Sequence, residues 1–151
     1  MALEALLAYA HFLAILTLVV FIASEAALCR PEWMNAAVVH RISRVDMIYG
    51  IAAGVVVLTG VARTVSGMKG LGWYWSNGLL HLKLTLFIIV GLVSIKPTLT
   101  YRRWRRELAA TGALPAEADV RQTRKWVMVQ AHLIAVIPLV AVFFARGFGG
   151  K

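Results

Sequence analysis

The chain has 151 residues, 60% of them hydrophobic, and a mean hydropathy of +0.76. A soluble domain of this length cannot enclose so much apolar surface, so the composition predicts an integral membrane protein. The net charge is +9, but the basic residues lie between apolar runs, which argues against a nucleic-acid partner. One cysteine, Cys29, excludes an internal disulfide and a Cys-rich metal or iron–sulfur site.

Four apolar runs are each long enough to cross a bilayer, because about 20 apolar residues span a hydrocarbon core roughly 30 Å thick. The predicted spans of this single transmembrane domain, residues 1–151, cover residues 2–28, 45–65, 79–95 and 126–145. No basic segment precedes the first run, so we expect it to be retained as a span rather than cleaved as a signal peptide. The alternation typical of a membrane barrel is absent, and the pattern predicts an all-α, four-helix bundle.

Three connections join the predicted spans. Residues 29–44 form a short connector that begins with a charge, a proline and an interfacial aromatic residue. Residues 66–78 contain four glycines and the aromatic run 73–75, which predicts a loop at a membrane–water interface. Residues 96–125 are polar and arginine-rich, with Pro115 in a small-residue stretch, and predict one long connection that contains a flexible link.

Two features inside the spans bear on helix packing. Gly50 and Gly54 lie four residues apart in the second span and predict a small-residue packing face. Pro138 predicts a kink or local unwinding of the fourth span.

The basic residues are distributed unequally between the two sides of the membrane. The connections after the first and third spans contain eleven: Arg30, Arg41, Arg44, Lys96, Arg102, Arg103, Arg105, Arg106, Arg121, Arg124 and Lys125. The opposite side has four: Arg63, Lys69, Arg146 and Lys151. The positive-inside rule places the eleven in the cytoplasm and both termini on the periplasmic side of a bacterial inner membrane. Anionic lipid head groups are a further expected partner of these cations.

Ionisable residues inside a span cost roughly 2.5–3.5 kcal/mol each at the helix centre and therefore suggest function. His11, His81 and Lys83 are expected to share one layer in the outer half of the bundle. Two facing imidazoles can be the axial ligands of a haem b, and Lys83 can pair with a haem propionate or with an anionic quinone or porphyrin. The alternative is that Lys83 extends to the interface while each histidine makes an interhelical hydrogen bond.

A second polar layer is expected near the inner end of the bundle. It contains Glu25 of the first span and His132 of the fourth, together with Asp46 and Arg44. Such a layer can relay protons or accept them from a bound quinone. The alternative is a set of hydrogen bonds and ion pairs that fixes helix packing.

Two short runs resemble a known family. The run Tyr9-Ala10-His11-Phe12 in the first span and the run His81-Leu82-Lys83-Leu84 in the third resemble the HemJ-type protoporphyrinogen oxidases. The wider superfamily, which includes the CopD-like copper proteins, shares this layout. The resemblance implies bound haem b, functional roles for His11 and Lys83, a catalytic one for Lys83, and His81 as a further candidate ligand.

Other runs resemble an uncharacterised bacterial branch of that superfamily and extend the resemblance over nearly the whole chain. They include Arg44-Val45-Asp46, Lys96-Pro97-Thr98-Leu99 and Ala145-Arg146-Gly147. The chain departs from the oxidases at Thr17-Leu18-Val19-Val20 and at Val93-Ser94-Ile95, where they carry an aromatic and glycine signature and a histidine-rich segment. The resemblance therefore implies a haem site more directly than it implies the oxidase reaction.

The sequence thus predicts a haem b-binding membrane protein that moves electrons between a quinone or porphyrinogen and another acceptor. It leaves open whether the protein is an enzyme, with an oxidoreductase of the protoporphyrinogen-oxidase type as the candidate. One alternative is a non-catalytic subunit or assembly factor that docks, as a homo-oligomer or in a membrane complex, through Gly50, Gly54 and the arginine-rich connection. Another is a copper-handling protein or small-solute permease.

Overall fold

The computed structural model describes residues 2–65, 72, 76–146 and 148, with the backbone alone at residues 144 and 145. Its helices are α1 (Ala2–Leu28), α2 (Ala36–Val65), α3 (Gly78–Thr111) and α4 (Glu117–Ala145), and a 3₁₀ turn covers Pro31–Trp33. No strand occurs in these residues. Each of the four helices is long and apolar enough to cross a membrane, which confirms the predicted all-α membrane fold.

The four helices form a bundle in which helices that follow one another in the chain are antiparallel. The most extensive packing joins α1 to α2 and α3 to α4, and smaller contacts between α2 and α3 and between α1 and α4 close the bundle. Only 11–22% of the most apolar window of each helix is buried within the chain. The exposed apolar side chains are those expected to face lipid tails.

One end of the bundle, called the basic end below, contains the end of α1, the start of α2, the end of α3 and the start of α4. Arg124 of α4 donates hydrogen bonds to the backbone carbonyl oxygens of Ala26, at 2.7 Å, and Cys29, at 3.3 Å. Asp119 of α4 accepts a 2.7 Å hydrogen bond from the indole nitrogen of Trp104 in α3 and forms an ion pair with Arg103. The Arg124 bonds satisfy one carbonyl in the last turn of α1 and one just beyond it, and the Asp119 bonds join α4 to α3.

The helices extend beyond the predicted spans. α2 begins at Ala36, and α3 continues to Thr111, so only residues 112–116 separate it from α4. Gly112 ends α3 in the left-handed conformation, with a φ of 71°, where its backbone N–H bonds to the carbonyl of Leu108. The polar connection predicted over residues 96–125 is therefore mainly helical, and the predicted link around Pro115 is its short turn.

Proline does not interrupt either helix that contains it. α3 continues through Pro97 and α4 through Pro138, so of the kink or local unwinding expected at Pro138, the unwinding is absent. Neighbouring helices and small local adjustments accommodate proline in membrane helices. The aromatic run 73–75, predicted to lie at an interface, falls outside the described residues.

Candidate cofactor site and a buried polar cluster

A cavity of about 150 Å³ lies between α1, α2 and α3, in the half of the bundle away from the basic end. Its wall is mostly apolar side chains of α2 and α3. The polar residues that line it are His11 of α1, Thr64 of α2 and Lys83 of α3. Three helices thus bring an imidazole, a hydroxyl and an ammonium group to one small cavity.

The orientation of His11 is fixed by a residue of the neighbouring helix. Its Nδ1 lies 2.8 Å from Oγ1 of Thr59. The Thr59 hydroxyl has one hydrogen, and it donates that hydrogen to the carbonyl oxygen of Val55 at 2.6 Å. When that hydrogen is directed at Val55, Thr59 accepts from His11, an arrangement that places the imidazole proton on Nδ1 and leaves Nε2 as the nitrogen with a lone pair.

Gly60 allows the His11 ring to lie close to α2. A Cβ atom built at Gly60 would be 3.4 Å from Cε1 of His11, at the lower limit of ordinary contact. Gly60 also lines the cavity. A larger side chain at this position would therefore compete for the space beside the ring.

The structure separates His81 from Lys83. Lys83 is half-buried and lines the cavity together with His11, whereas His81 is exposed and does not line it. Two residues that are two positions apart on a helix point about 200° apart, so they cannot both face one cavity. Of the three residues predicted to share one layer, the structure brings His11 and Lys83 together at the cavity and places His81 on another face of α3.

A second set of polar residues, called the buried polar cluster, lies nearer the basic end. Its members come from all four helices: Glu25 of α1, Asp46 and Tyr49 of α2, Thr98 and Tyr101 of α3, and Gln130 of α4. The Tyr101 hydroxyl donates to Oε2 of Glu25 at 3.4 Å, and the Thr98 hydroxyl donates to Oδ1 of Asp46 at 2.7 Å. Glu25 and Gln130 are each only 1% exposed. Oε1 of Glu25 and Oε1 of Gln130 both lack a hydrogen-bond partner within the described part of the chain.

His132 and Arg44 do not join this cluster. Both side chains are exposed, and Nδ1 of His132 lies 2.6 Å from the carbonyl oxygen of Met128 on its own helix. His132 is two residues from the buried Gln130 and so points to the opposite side of α4. The inner layer predicted from the sequence thus contains Glu25 and Asp46, and its member on α4 is Gln130 rather than His132.

Four members of the cluster, Tyr49, Thr98, Tyr101 and Gln130, are not among the residues that the sequence analysis predicted for this layer. Gln130 is a polar residue within the predicted fourth span, which is the signal that could have identified it. Tyr101 lay in the segment interpreted as a connection, so its burial at 0% exposure was not expected.

Cys29 lies just beyond the end of α1, buried between the helices at the basic end. Its Sγ is 3.7 Å from the carbonyl oxygen of Val120. Burial raises the pKa of the Cys29 thiol to about 11, since the thiolate is disfavoured away from water. The group is therefore a neutral thiol at physiological pH, with low reactivity.

Metal-ligating side chains are dispersed through the bundle. Among the residues that the structure describes, no group of three or more His, Cys, Asp or Glu side chains is placed to hold a metal ion. Any metal-containing group at the cavity would therefore depend on few protein ligands, with His11 as the imidazole available there.

Comparison with known proteins agrees with the fold. A family model described as predicted membrane protein (DUF2214) matches residues 3–149. No curated protein and no solved structure matches the chain. Because the matched residues cover nearly all of the sequence, the chain belongs to the DUF2214 family of predicted membrane proteins.

Proposed function

We propose that the protein binds haem b at the cavity between α1, α2 and α3 and transfers electrons within a bacterial inner membrane. The observation that carries this proposal is that His11 and Lys83 line the same cavity. They are also the two residues for which the resemblance to the HemJ-type oxidases implies function. Residues on different helices that meet at one cavity are more economically explained by a shared ligand than by separate packing roles.

The donor chemistry at His11 fits an axial ligand. A metal-bound histidine usually donates its other ring N–H to a fixed acceptor, which sets both the tautomer and the orientation of the ring. His11 has such an acceptor in Thr59, and its Nε2 keeps the lone pair that iron requires. The ammonium group of Lys83 is the counter-charge that a propionate needs in an apolar surrounding.

The volume of the cavity limits how a haem could be accommodated. About 150 Å³ is less than the roughly 300–1,000 Å³ of typical small-molecule sites, so a macrocycle extends beyond the enclosed space. For His81 also to hold the iron, α3 would have to change position, because the His81 side chain lies outside the cavity. We therefore propose His11 as the principal protein ligand and retain His81 as a candidate.

Bound haem would supply a one-electron carrier, with a quinone or porphyrinogen as the proposed donor. The residues of the chain have separate tasks. His11 would hold the haem iron, Thr59 would orient His11, and Lys83 would stabilise negative charge on the ligand or substrate. The apolar wall excludes water. Glu25 and Asp46 of the buried polar cluster are the proposed groups that hold or relay protons. His132 is not included, because its side chain is exposed and lies apart from the cluster.

The proposal is tested by the absorption spectrum of protein purified from cells supplied with haem precursor. The wild type should show a haem Soret band, His11→Ala should lose it, and the exposed His132→Gln should keep it. A colourless wild-type protein, even after haem is added, would refute the proposal. A Soret band retained in His11→Ala would place the ligand elsewhere.

The orientation proposed from the charges places the basic end in the cytoplasm and both termini in the periplasm. Single cysteines introduced at Ala113 and at Gly70, in a Cys29→Ser background, should be labelled from opposite sides of the membrane. Ala113 lies in the exposed turn between α3 and α4. Labelling of Ala113→Cys from the periplasm would reverse the orientation.

A second candidate function, a subunit or assembly factor of a membrane complex, is favoured by the outer face of α2. Gly50 and Gly54 are both exposed, and a Cβ built at either position meets no atom within 4 Å. Their small-residue face is not used for packing inside the described bundle. It is therefore available to a helix of a second copy or of another membrane protein.

A further inference from the structure

A groove of about 990 Å³ lies at the basic end along one face of α3, with Ser43 of α2 on its other side. Its apolar part contains Leu92, Ile95 and Leu99, which are three and four residues apart and so lie on one face of the helix. Its basic part continues on the same helix with Lys96 and with four arginines within residues 102–106. The surface changes from apolar to cationic within about one helical turn.

The cations of this groove are not equally neutralised. Arg103 forms ion pairs with Glu107 and Asp119. Arg102, Arg105 and Arg106 are exposed and have no carboxylate within ion-pair distance in the part of the chain that the structure describes. Three guanidinium groups without an ion pair therefore lie beside an apolar surface, and guanidinium groups bind phosphate in bidentate geometry.

We infer that this groove binds one anionic phospholipid of the leaflet at the basic end. Its phosphate would lie against Arg105 and Arg106, and an acyl chain would follow the apolar residues Leu92, Ile95 and Leu99. From Leu92 to Arg106 the helix rises about 21 Å, a length that reaches from the head-group region into the hydrocarbon. A soluble phosphate compound would use the arginines alone and leave the apolar part of the groove unexplained. Basic pockets between membrane helices commonly bind anionic lipid head groups.

The inference is independent of the haem proposal and is tested by native mass spectrometry of the full chain in detergent. Phosphatidylglycerol, phosphatidylcholine and free glycerol phosphate are added separately. The wild type should retain one phosphatidylglycerol in preference to phosphatidylcholine and should not retain glycerol phosphate. Each basic residue near an anionic lipid contributes roughly fivefold to affinity, so Arg105→Gln/Arg106→Gln should weaken phosphatidylglycerol binding about 30-fold.

The matched control is Arg41→Gln/Lys125→Gln. It removes the same charge from exposed positions at the basic end that do not line the groove. The control should bind phosphatidylglycerol like the wild type. Equal losses in the two double variants would show diffuse attraction of lipid to a basic surface and would overturn the inference.

Two further results would also overturn it. Equal retention of glycerol phosphate would indicate a soluble anion as the ligand, and equal retention of phosphatidylcholine would show that charge does not select the lipid. Circular dichroism checks that the double variant folds. If it does not fold, Leu99→Gln, at a position 57% exposed, tests the apolar part of the groove and should also weaken retention of phosphatidylglycerol.

Discussion

Nδ1 of His11 on α1 is hydrogen-bonded to Oγ1 of Thr59 on α2 at 2.8 Å, and the Thr59 hydroxyl donates to the carbonyl oxygen of Val55 on α2 at 2.6 Å. This contact joins the two helices beside the cavity and holds the orientation of the His11 ring. The sequence alone gave no reason to associate these two residues, which are 48 positions apart.

The first prediction concerns this hydrogen bond. Thr59→Val keeps the shape of the side chain but removes the acceptor, so the ring loses its fixed orientation. Loss of such a supporting partner typically weakens a metal site by roughly 10–100-fold, and we expect haem affinity to fall by that factor in a haem titration. Thr59→Ser keeps the hydroxyl and should bind nearly as the wild type does. Equal affinities for the valine and serine variants would contradict the role given to Thr59.

The second prediction uses two glycines of α2 that face different surroundings. Gly60→Leu should fill the space beside the His11 ring and abolish haem binding, because its Cβ already contacts that ring. Gly54→Leu faces open space and should bind haem normally. Haem binding is measured by the Soret absorbance, and the oligomeric state by size-exclusion chromatography in detergent. If Gly54→Leu loses self-association and Gly60→Leu does not, the second candidate function is favoured. If Gly60→Leu still binds haem, the haem lies outside this cavity.

The third prediction separates charge from ligation. Lys83→Ala should retain a haem spectrum, since Lys83 is not the proposed ligand. Its midpoint potential should become more negative, because a nearby positive charge favours the reduced state. Lys125→Ala, at an exposed position at the basic end, is the control and should leave the potential unchanged. A potential that does not differ between the two variants in a redox titration would exclude an electrostatic role for Lys83 at the haem.

The fourth prediction follows from the pKa of the buried Cys29. Its folded value of about 11 lies above the unfolded value of roughly 8.5, so the neutral thiol favours the folded state. This stability is fully present below the unfolded pKa and is lost as the pH rises toward the folded pKa. Unfolding in denaturant should therefore become easier between about pH 8.5 and 11 in the wild type, and less so in Cys29→Ser. Equal pH dependence of the two proteins would contradict the burial argument.

The sequence predicted the four membrane helices because sustained apolarity over about 20 residues is a property of composition and needs no tertiary contact. It also placed His11 and Lys83 in one layer, since depth follows from residue count along each helix. It could not assign the face that His81 presents, because that depends on how α3 is rotated in the bundle. The structure settles that rotation by placing Lys83 at the cavity.

The helical extension of α3 was missed for a different reason. Residues 96–111 are polar, and polarity alone was interpreted as a connection. The buried Tyr101 and Trp104, whose ring centroids are 5.6 Å apart, pack this extension onto the rest of the bundle. Such packing depends on partners from other helices, among them Glu25 and Asp119, and these partners cannot be identified from the spacing within one helix.

The most direct test of haem ligation by His11 is chemical rescue. His11→Gly removes the imidazole and leaves a space beside Gly60, where free imidazole can bind in its place. We predict that purified His11→Gly shows no wild-type haem spectrum with added haem and recovers that spectrum when imidazole is added. An equal concentration of pyrrole should not restore it, because the one nitrogen of pyrrole has no free lone pair to bind iron. A wild-type spectrum in His11→Gly without imidazole would contradict ligation by His11, as would a folded variant in which imidazole restores nothing.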